Sequence, residues 1–299
     1  MTSATARLVD PVTYRGGHLQ IIACAGAGKT EAIALRAADI LAEGKDPQAL
    51  IAFTFTEKAG RELRSRIEQK VSADERLGYT FLDKLGPMYV GTIHAYCMQM
   101  LQRHVPEIAD WDVLDDHKLV ALLQREYTPI ELGGLSPGWK RSENIALFRA
   151  SVDVVENELI GLDALGDTPF RRSYELFLSM LERYQALTYG QMISRAVAVL
   201  QDVHIADAVL GPLRHVIVDE YQDTNMAQER LVSLLASRGA HLTVVGDDDQ
   251  AIYQWRGATV RNILGFTERY DACTQELPKN RRSQPSVVDY AREFIESWV

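Results

Sequence analysis

QIIACAGAGKT, residues Gln20 to Thr30, decides how the rest of the chain is read. Leu19 to Cys24 is a short apolar run with two adjacent isoleucines. Ala25-Gly26-Ala27-Gly28 cannot continue a strand, so the run is predicted to end in a tight loop. Lys29 and Thr30 then open a helix. Strand, small-residue loop and helix N-terminus, in that order, bind a phosphate chain. The backbone N–H groups of Ala25, Gly26, Ala27 and Gly28 cradle the oxygens, Lys29 reaches the β- and γ-phosphates, and the Thr30 hydroxyl holds Mg²⁺. The pattern G-x-x-x-x-G-K-[ST] is met at Gly28, Lys29 and Thr30, with Ala23 where its first glycine belongs. Taken alone, the stretch also fits a ligand-free glycine loop, and a second element is needed to choose.

The 299 residues suffice for one large or two ordinary domains with a sizeable core. A hydrophobic content of 46% and a charged content of 24% are those of a globular, water-soluble chain. No apolar run reaches membrane-span length, and Met1 to Gly17 lacks the basic start and apolar centre of a signal peptide, so a cytoplasmic protein with no membrane partner is expected. Cys24, Cys97 and Cys273 are far apart and outside any C-x-x-C spacing, which predicts free, mostly buried thiols. A net charge of −9 argues against a generally basic coat but leaves room for a local basic groove.

Met1 to Arg15 has no periodicity and reads as a loose arm. Beyond the loop, Ala32, Leu35, Ala38, Ile40 and Leu41 give helical spacing, stopped by Gly44 and Pro47. Leu50 to Phe55 reads as a buried parallel strand, and Ala59, Leu63, Ile67 and Val71 as the inner face of a helix. Tyr89 to Thr92 is a short strand followed by a helix to about His104. From Val105 to about Ala186 the pattern turns to amphipathic helices broken by Gly133-Gly134, Ser136-Pro137-Gly138 and Gly161 to Pro169, with no strand evident. Strands resume at His215 to Val218, at His241 to Val245 and at Ala272 to Leu277. Thr224 or Asn225 caps the helix that carries Leu231, Leu234 and Leu235, and a last helix starts near Gln284. The order is that of an α/β fold with a parallel sheet flanked by helices. The expected division is an α/β domain over 1–104 and 187–283, a helical insertion over 105–186, and a terminal helix or second domain from 284.

A phosphate loop needs an acidic partner. Asp219 ends an apolar strand, where parallel sheets place site residues, and Glu220 follows it. In that geometry Asp219 holds the Mg²⁺ and Glu220 polarises the attacking water. Loop and acidic pair, each at the end of its own apolar run, together favour a nucleotide site over a bare loop.

Six stretches now match one family in order: Ala23 to Thr30, Phe53 to Ile67 (FTFTEKAGRELRSRI), Gly91 to Ala95 (GTIHA), Val216 to Asn225 (VIVDEYQDTN), Val244 to Ala258 (VVGDDDQAIYQWRGA) and Leu277 to Ser283 (LPKNRRS). The chain resembles the superfamily 1 DNA helicases of the UvrD, Rep and PcrA type, in which alanine at the first glycine of the loop is usual. The resemblance implies a RecA-like P-loop NTPase fold with a mostly helical inserted subdomain. It also implies ATP and Mg²⁺ as ligands, and single-stranded DNA or a single/double-strand junction as partner. The expected function is ATP-dependent helicase or translocase activity on DNA. A nucleotide-gated single-stranded DNA-binding module, or a partner-dependent ATPase, is the alternative. An unrelated P-loop enzyme such as a nucleotide kinase leaves GDDDQAIYQWRGA unexplained.

Carried over by position, the family gives Gln250 a contact with the γ-phosphate and gives Arg282 the charge that builds there in the transition state. Tyr253 and Trp255 become stacking platforms for bases, with Arg256 beside them, although alternating aromatics also suit a core strand. Phe55, Thr56, Lys58 and Arg61 follow the family's DNA-contacting motif, with Thr92 and His94 as further contacts, whereas Arg64 and Arg66 suit a solvated basic helix face. Three departures stand out. No glutamine precedes His18 to read the adenine edge, and Gln20 lies too close to the loop for that task. Arg281 stands where the family commonly stacks a tyrosine on the base, a role a guanidinium can take. The chain ends at Val299, soon after the sixth stretch, so the resemblance implies that further sequence or a partner protein supplies a second RecA-like domain, without which one motor domain cannot step along a strand.

Overall fold

The computed structural model describes residues 9–44, 46–250 and 261–296. Among the described residues run eight strands: β1 (Leu19–Ala23), β2 (Leu50–Thr54), β3 (Tyr89–Thr92), β4 (Asp112–Val113), β5 (Ala186–Leu187), β6 (His215–Val218), β7 (His241–Gly246) and β8 (Cys273–Leu277). Helices α1 (Lys29–Ala42), α2 (Glu57–Ala73) and α3 (Ile93–His104) alternate with the first three strands. Then come α4 (Asp116–Arg125), α5 (Arg141–Asn157), α6 (Pro169–Tyr184), α7 (Tyr189–Val199) and α8 (Val203–Leu210). The chain continues with α9 (Met226–Ala236), α10 (Arg261–Leu264), α11 (Phe266–Tyr270) and α12 (Pro285–Glu296). Among the described residues no helix is long and apolar enough to cross a membrane.

Six strands pair in parallel in the order β3-β2-β6-β7-β1-β8. The chain is thus α/β, with the parallel sheet of a RecA-like domain. Register brings the strand ends level: Ala23 faces Leu277, Ile22 faces Gly246, and Val218 faces Val244. The loops after β1, β6, β7 and β8 therefore leave from one rim of the sheet, which is where a parallel sheet assembles a site. Val216, Ile217 and Val218 are at most 1% exposed, as are Leu242, Val244 and Val245. Such unbroken apolar runs are what a sheet covered on both faces requires.

By internal contacts the chain forms two compact units. The sheet unit comprises Met1–Ile93, Asp207–Thr224 and Val232–Val299, and the helical unit comprises His94–Ala206 and Asn225–Leu231. In the first, Ile33, Ala37, Ile40 and Leu41 of α1 and Leu63, Ile67 and Val71 of α2 join Leu19, Ile21 and Leu50 of the sheet in one core. The second packs Leu123, Phe148, Phe177 and Leu181 at its centre, with Phe148 edge-on to Phe177 at 5.3 Å. Side-chain caps fix several helix starts. The hydroxyls of Thr56, Thr168 and Thr188 accept from backbone N–H groups three residues on, and Asn225 and Gln228 cap each other reciprocally at α9.

Three expectations are corrected. Residues 9–15 are fastened rather than loose. The Val9 N–H donates to Gln275 Oε1, Arg15 pairs with Asp39 and Glu43, and the fully buried Arg36 guanidinium donates to Pro11 O at 2.8 Å and to Thr243 Oγ1 at 3.0 Å. Burial pushes Arg36 down to about 10. A segment held by polar anchors has no apolar period to reveal it. Second, the helical stretch contains strand pairing, because β4 and β5 pair over two residues each, too few to show alternation. Third, Arg64 is half-buried, donating to Leu85 O and Met88 O, so it ties α2 to the approach to β3 rather than lining a solvated face. Of the three thiols only Cys97 is buried, while Cys24 and Cys273 are half-buried.

Candidate functional site

The loop after β1 is shaped by its glycines. Ala27 N–H turns back to Cys24 O at 3.0 Å, and Gly26 (φ +72°) and Gly28 (φ +96°) take left-handed conformations that other residues adopt only at a cost. At Gly26 there is a second reason for glycine: a Cβ would lie 2.7 Å from Asn280 Oδ1 and 2.8 Å from Arg282 Cβ. The segment after β8 lies directly against the loop. Asn280 donates its amide to Ala25 O at 2.6 Å and accepts the Arg282 and Ser283 N–H groups at 2.8 Å each, while Arg281 N–H donates to Gly26 O at 2.9 Å. The structure thus brings Ala25, Gly26, Arg281 and Arg282 together, with both arginines exposed.

Across the rim, Asp219 continues the ladder of β6 by donating its N–H to Phe53 O at 2.9 Å. Glu220 then takes φ +51°, an uncommon backbone for a residue with a side chain. Its carboxylate Oε2 accepts from Lys29 Nζ at 3.1 Å and from Gln222 Nε2 at 2.8 Å. Asp219 Oδ1 accepts the Glu220 N–H at 3.0 Å. Burial, and then the neighbouring Glu220 charge, push the Asp219 carboxyl up to about 7, with Lys29 pulling the other way. Asp223 is pushed up to about 6 by burial and then Glu220, and Asp247 is raised by burial; Lys29 opposes both shifts. Four carboxyl groups therefore gather about one ammonium. Among the described residues the acids do not form a cluster able to hold a metal ion by themselves, and the half-buried Thr30 follows Lys29 on α1. At the end of β7, Asp247 accepts from the Asp249 N–H at 3.2 Å and from the Gln250 amide.

The candidate DNA contacts are more scattered. Phe55 is 37% exposed, and the Lys58 ammonium and Arg61 are exposed on the first turns of α2. The Thr56 hydroxyl accepts the Ala59 N–H at 3.1 Å, capping the helix. Thr92 is buried, its hydroxyl donating to Glu57 at 3.0 Å. In the helical unit, His94 stands edge-on to Tyr189 at 5.6 Å, and burial pushes it down to about 4. Tyr253, Trp255 and Arg256 lie outside the described residues. Gln20, whose amide donates to Ile263 O and accepts from Thr267 and Thr274, is fully engaged in the sheet unit.

Sequence reasoning assigned nothing to Gln222 or Asn280. The signal available was that each is an uncharged amide inside a matched stretch at a strand end; what it bonds to is set by neighbouring strands.

The UvrD/REP helicase N-terminal domain family model matches residues 5–271. The ATP-dependent DNA helicase PcrA of Staphylococcus aureus (strain Mu50 / ATCC 700699) is 32% identical over 309 aligned residues, covering 96% of this chain and 39% of that protein. PcrA of Staphylococcus epidermidis (strain ATCC 12228 / FDA PCI 1200) is 32% identical over 308, with the same coverage. The chain spans about two fifths of the length of the curated relatives it matches.

Proposed function

The chain belongs to the UvrD/REP helicase N-terminal domain family, and on that premise we propose that it is the ATP-binding half of a DNA helicase motor, coupling ATP hydrolysis to movement on single-stranded DNA in the cytoplasm. The observation that carries this reading is the pairing of Lys29 with Glu220 at 3.1 Å, 191 residues apart in sequence, on the rim where Gly26 and Gly28 shape the phosphate loop. Lys29 exchanges Glu220 for the β- and γ-phosphates when nucleotide arrives. Glu220, released from that ion pair, takes a proton from the attacking water. Gln250 and Arg282 contact the γ-phosphate from the ends of β7 and β8, and Arg281 lies against the base. Thr30 and Asp219 would hold Mg²⁺, which when bound draws charge from the phosphate oxygens. Phe55, Thr56, Lys58, Arg61, Thr92 and His94, together with Tyr253, Trp255 and Arg256, carry the DNA strand. A second RecA-like domain, from further sequence or a partner protein, completes the motor.

The test is a pair of variants. Lys29→Ala is expected to lose Mg-ATP binding at least about 100-fold, because the ammonium is the main cation facing the phosphates. Glu220→Gln should keep binding and lose hydrolysis. Unchanged ATP affinity in Lys29→Ala sinks the reading. Parental binding of ATP and DNA with no turnover, even with single-stranded DNA present, leaves a nucleotide-gated binding module instead.

A further inference from the structure

A buried glutamine amide has to satisfy a donor end and an acceptor end. Gln222 is 2% exposed, in the turn that follows β6, and it does both. Its Oε1 accepts the Asp247 N–H at 3.1 Å, and its Nε2 donates to Glu220 Oε2 at 2.8 Å. The orientation of the amide is fixed chemically, since a backbone N–H can only donate and so must face the oxygen, which turns the NH₂ to the carboxylate. The approach is close enough to dictate the next strand's last residue. At Gly246 a Cβ would overlap Gln222 Oε1 and come within 2.6 Å of Ile263 Cδ1. Asp247 in turn holds the Gln250 side chain through its carboxylate and receives the Gln250 N–H on its carbonyl at 3.2 Å. A continuous run of polar contacts thus leads from Lys29 through Glu220, Gln222 and Asp247 to Gln250.

We propose that Gln222 is a positioning residue for ATP hydrolysis, holding Glu220 by one carboxylate oxygen to the end of β7 so that the base and Gln250 are set as one unit. The proposal rests on the nucleotide reading given above. When Lys29 turns to the phosphates, Glu220 loses its ion pair, and the Gln222 amide is the contact that keeps the carboxylate in place with its other oxygen toward the water. Glutamine suits this task because it offers a donor to the carboxylate and an acceptor to the strand at every pH. Glutamate at 222 offers the same pair only when protonated.

The experiment compares Gln222→Met, Gln222→Glu and Glu220→Gln with the parent chain, measuring Mg-ATP affinity and single-turnover hydrolysis between pH 6 and 8. Both Gln222 variants are expected to bind ATP within about twofold of the parent and to hydrolyse it about 10- to 100-fold more slowly at pH 8. Gln222→Glu should recover toward the parental rate as pH falls, because protonation restores the donor; Gln222→Met should not. A merely structural role gives no such recovery. Parental rates in both Gln222 variants, with Glu220→Gln inactive, overturn this proposal and leave the nucleotide reading intact. Loss of affinity in step with rate, or a Gln222→Glu deficit that is flat with pH, also overturns it. A parent that binds no Mg-ATP overturns both.

Discussion

Two carboxyl groups, one in each unit, are both raised by desolvation but stand in different surroundings. Asp219, on the sheet rim, is pushed up to about 7, and Glu156, in α5 of the helical unit, to about 8. Around Asp219 stand the Glu220 charge and N–H and the Lys29 ammonium, which pulls the carboxyl back toward its charged form. Around Glu156 stand the Thr188 hydroxyl, donating to Oε2 at 2.6 Å, and the opposing charges of Asp153 and Arg195, while Oε1 has no hydrogen-bond partner among the described residues. Gly190 packs against it so closely that a Cβ would lie 2.5 Å from the Glu156 Cβ. Burial alone therefore does not mark a site. What separates the two is place: Asp219 stands at a strand end beside the Lys29–Glu220 ion pair and the glycine loop, and Glu156 stands inside a helical unit against the Thr188 cap.

The largest effect expected from this contrast lies in apolar packing. If the helical unit owes its stability to its aromatic core, Phe177→Ala should cost about 3–5 kcal/mol in denaturant unfolding. A loss below about 1 kcal/mol would break that half of the comparison.

Next comes the ligand. With Mg-ATP at about 100 times its dissociation constant, the parent should gain about 2.7 kcal/mol. Asp219→Asn should lose most of the Mg²⁺-dependent part, and Glu156→Gln none of it. Equal losses would mean that the two carboxyls are equivalent after all.

Third is pH. The folded-state pKa of Glu156 is raised from 4.5 to about 8, so its contribution is fully present below about 4.5 and is lost as pH rises through 8. Glu156→Gln, neutral throughout, should flatten the decline in that window and be about 1–3 kcal/mol more stable than the parent at pH 9. Thermal unfolding from pH 5 to 9 decides it, and a variant that falls as steeply as the parent would clear Glu156 of the effect.

The smallest effect concerns two caps. Thr56→Ala removes only the cap of α2 and should cost about 1 kcal/mol. Thr188→Ala also strips Glu156 of its donor, and should cost about 1 kcal/mol more. Equal costs would show that Thr188 acts as a cap alone.

Most of the sheet unit was legible. Leu50 to Phe55, Tyr89 to Thr92, His215 to Val218 and His241 to Val245 were read within a residue or two of β2, β3, β6 and β7. These runs are apolar because both faces of the sheet are covered, and that leaves a local mark. The N-terminal segment was misread because Val9, Pro11 and Arg15 are held by Gln275, Arg36, Asp39 and Glu43, partners 24 to 266 residues away. The two-residue strands β4 and β5 were invisible because a period of two needs more than two residues to appear.

By itself the sequence determined what short-range physics encodes: strands and helices in order, a tight small-residue loop before a helix, and acids at the end of an apolar run. Backbone conformation, side-chain alternation and capping depend on residues a few positions apart, so they are written in contiguous letters. Only the tertiary structure decided that β7 lies between β6 and β1 and that β1 lies between β7 and β8, and that order brought the rim contacts together. Asn280 reaches Ala25 across 255 residues, and Gln222 reaches Asp247 across 25, because parallel pairing brings those strand ends level. A hydrogen bond is decided by distances of a few tenths of an ångström, and only the folded sheet sets them.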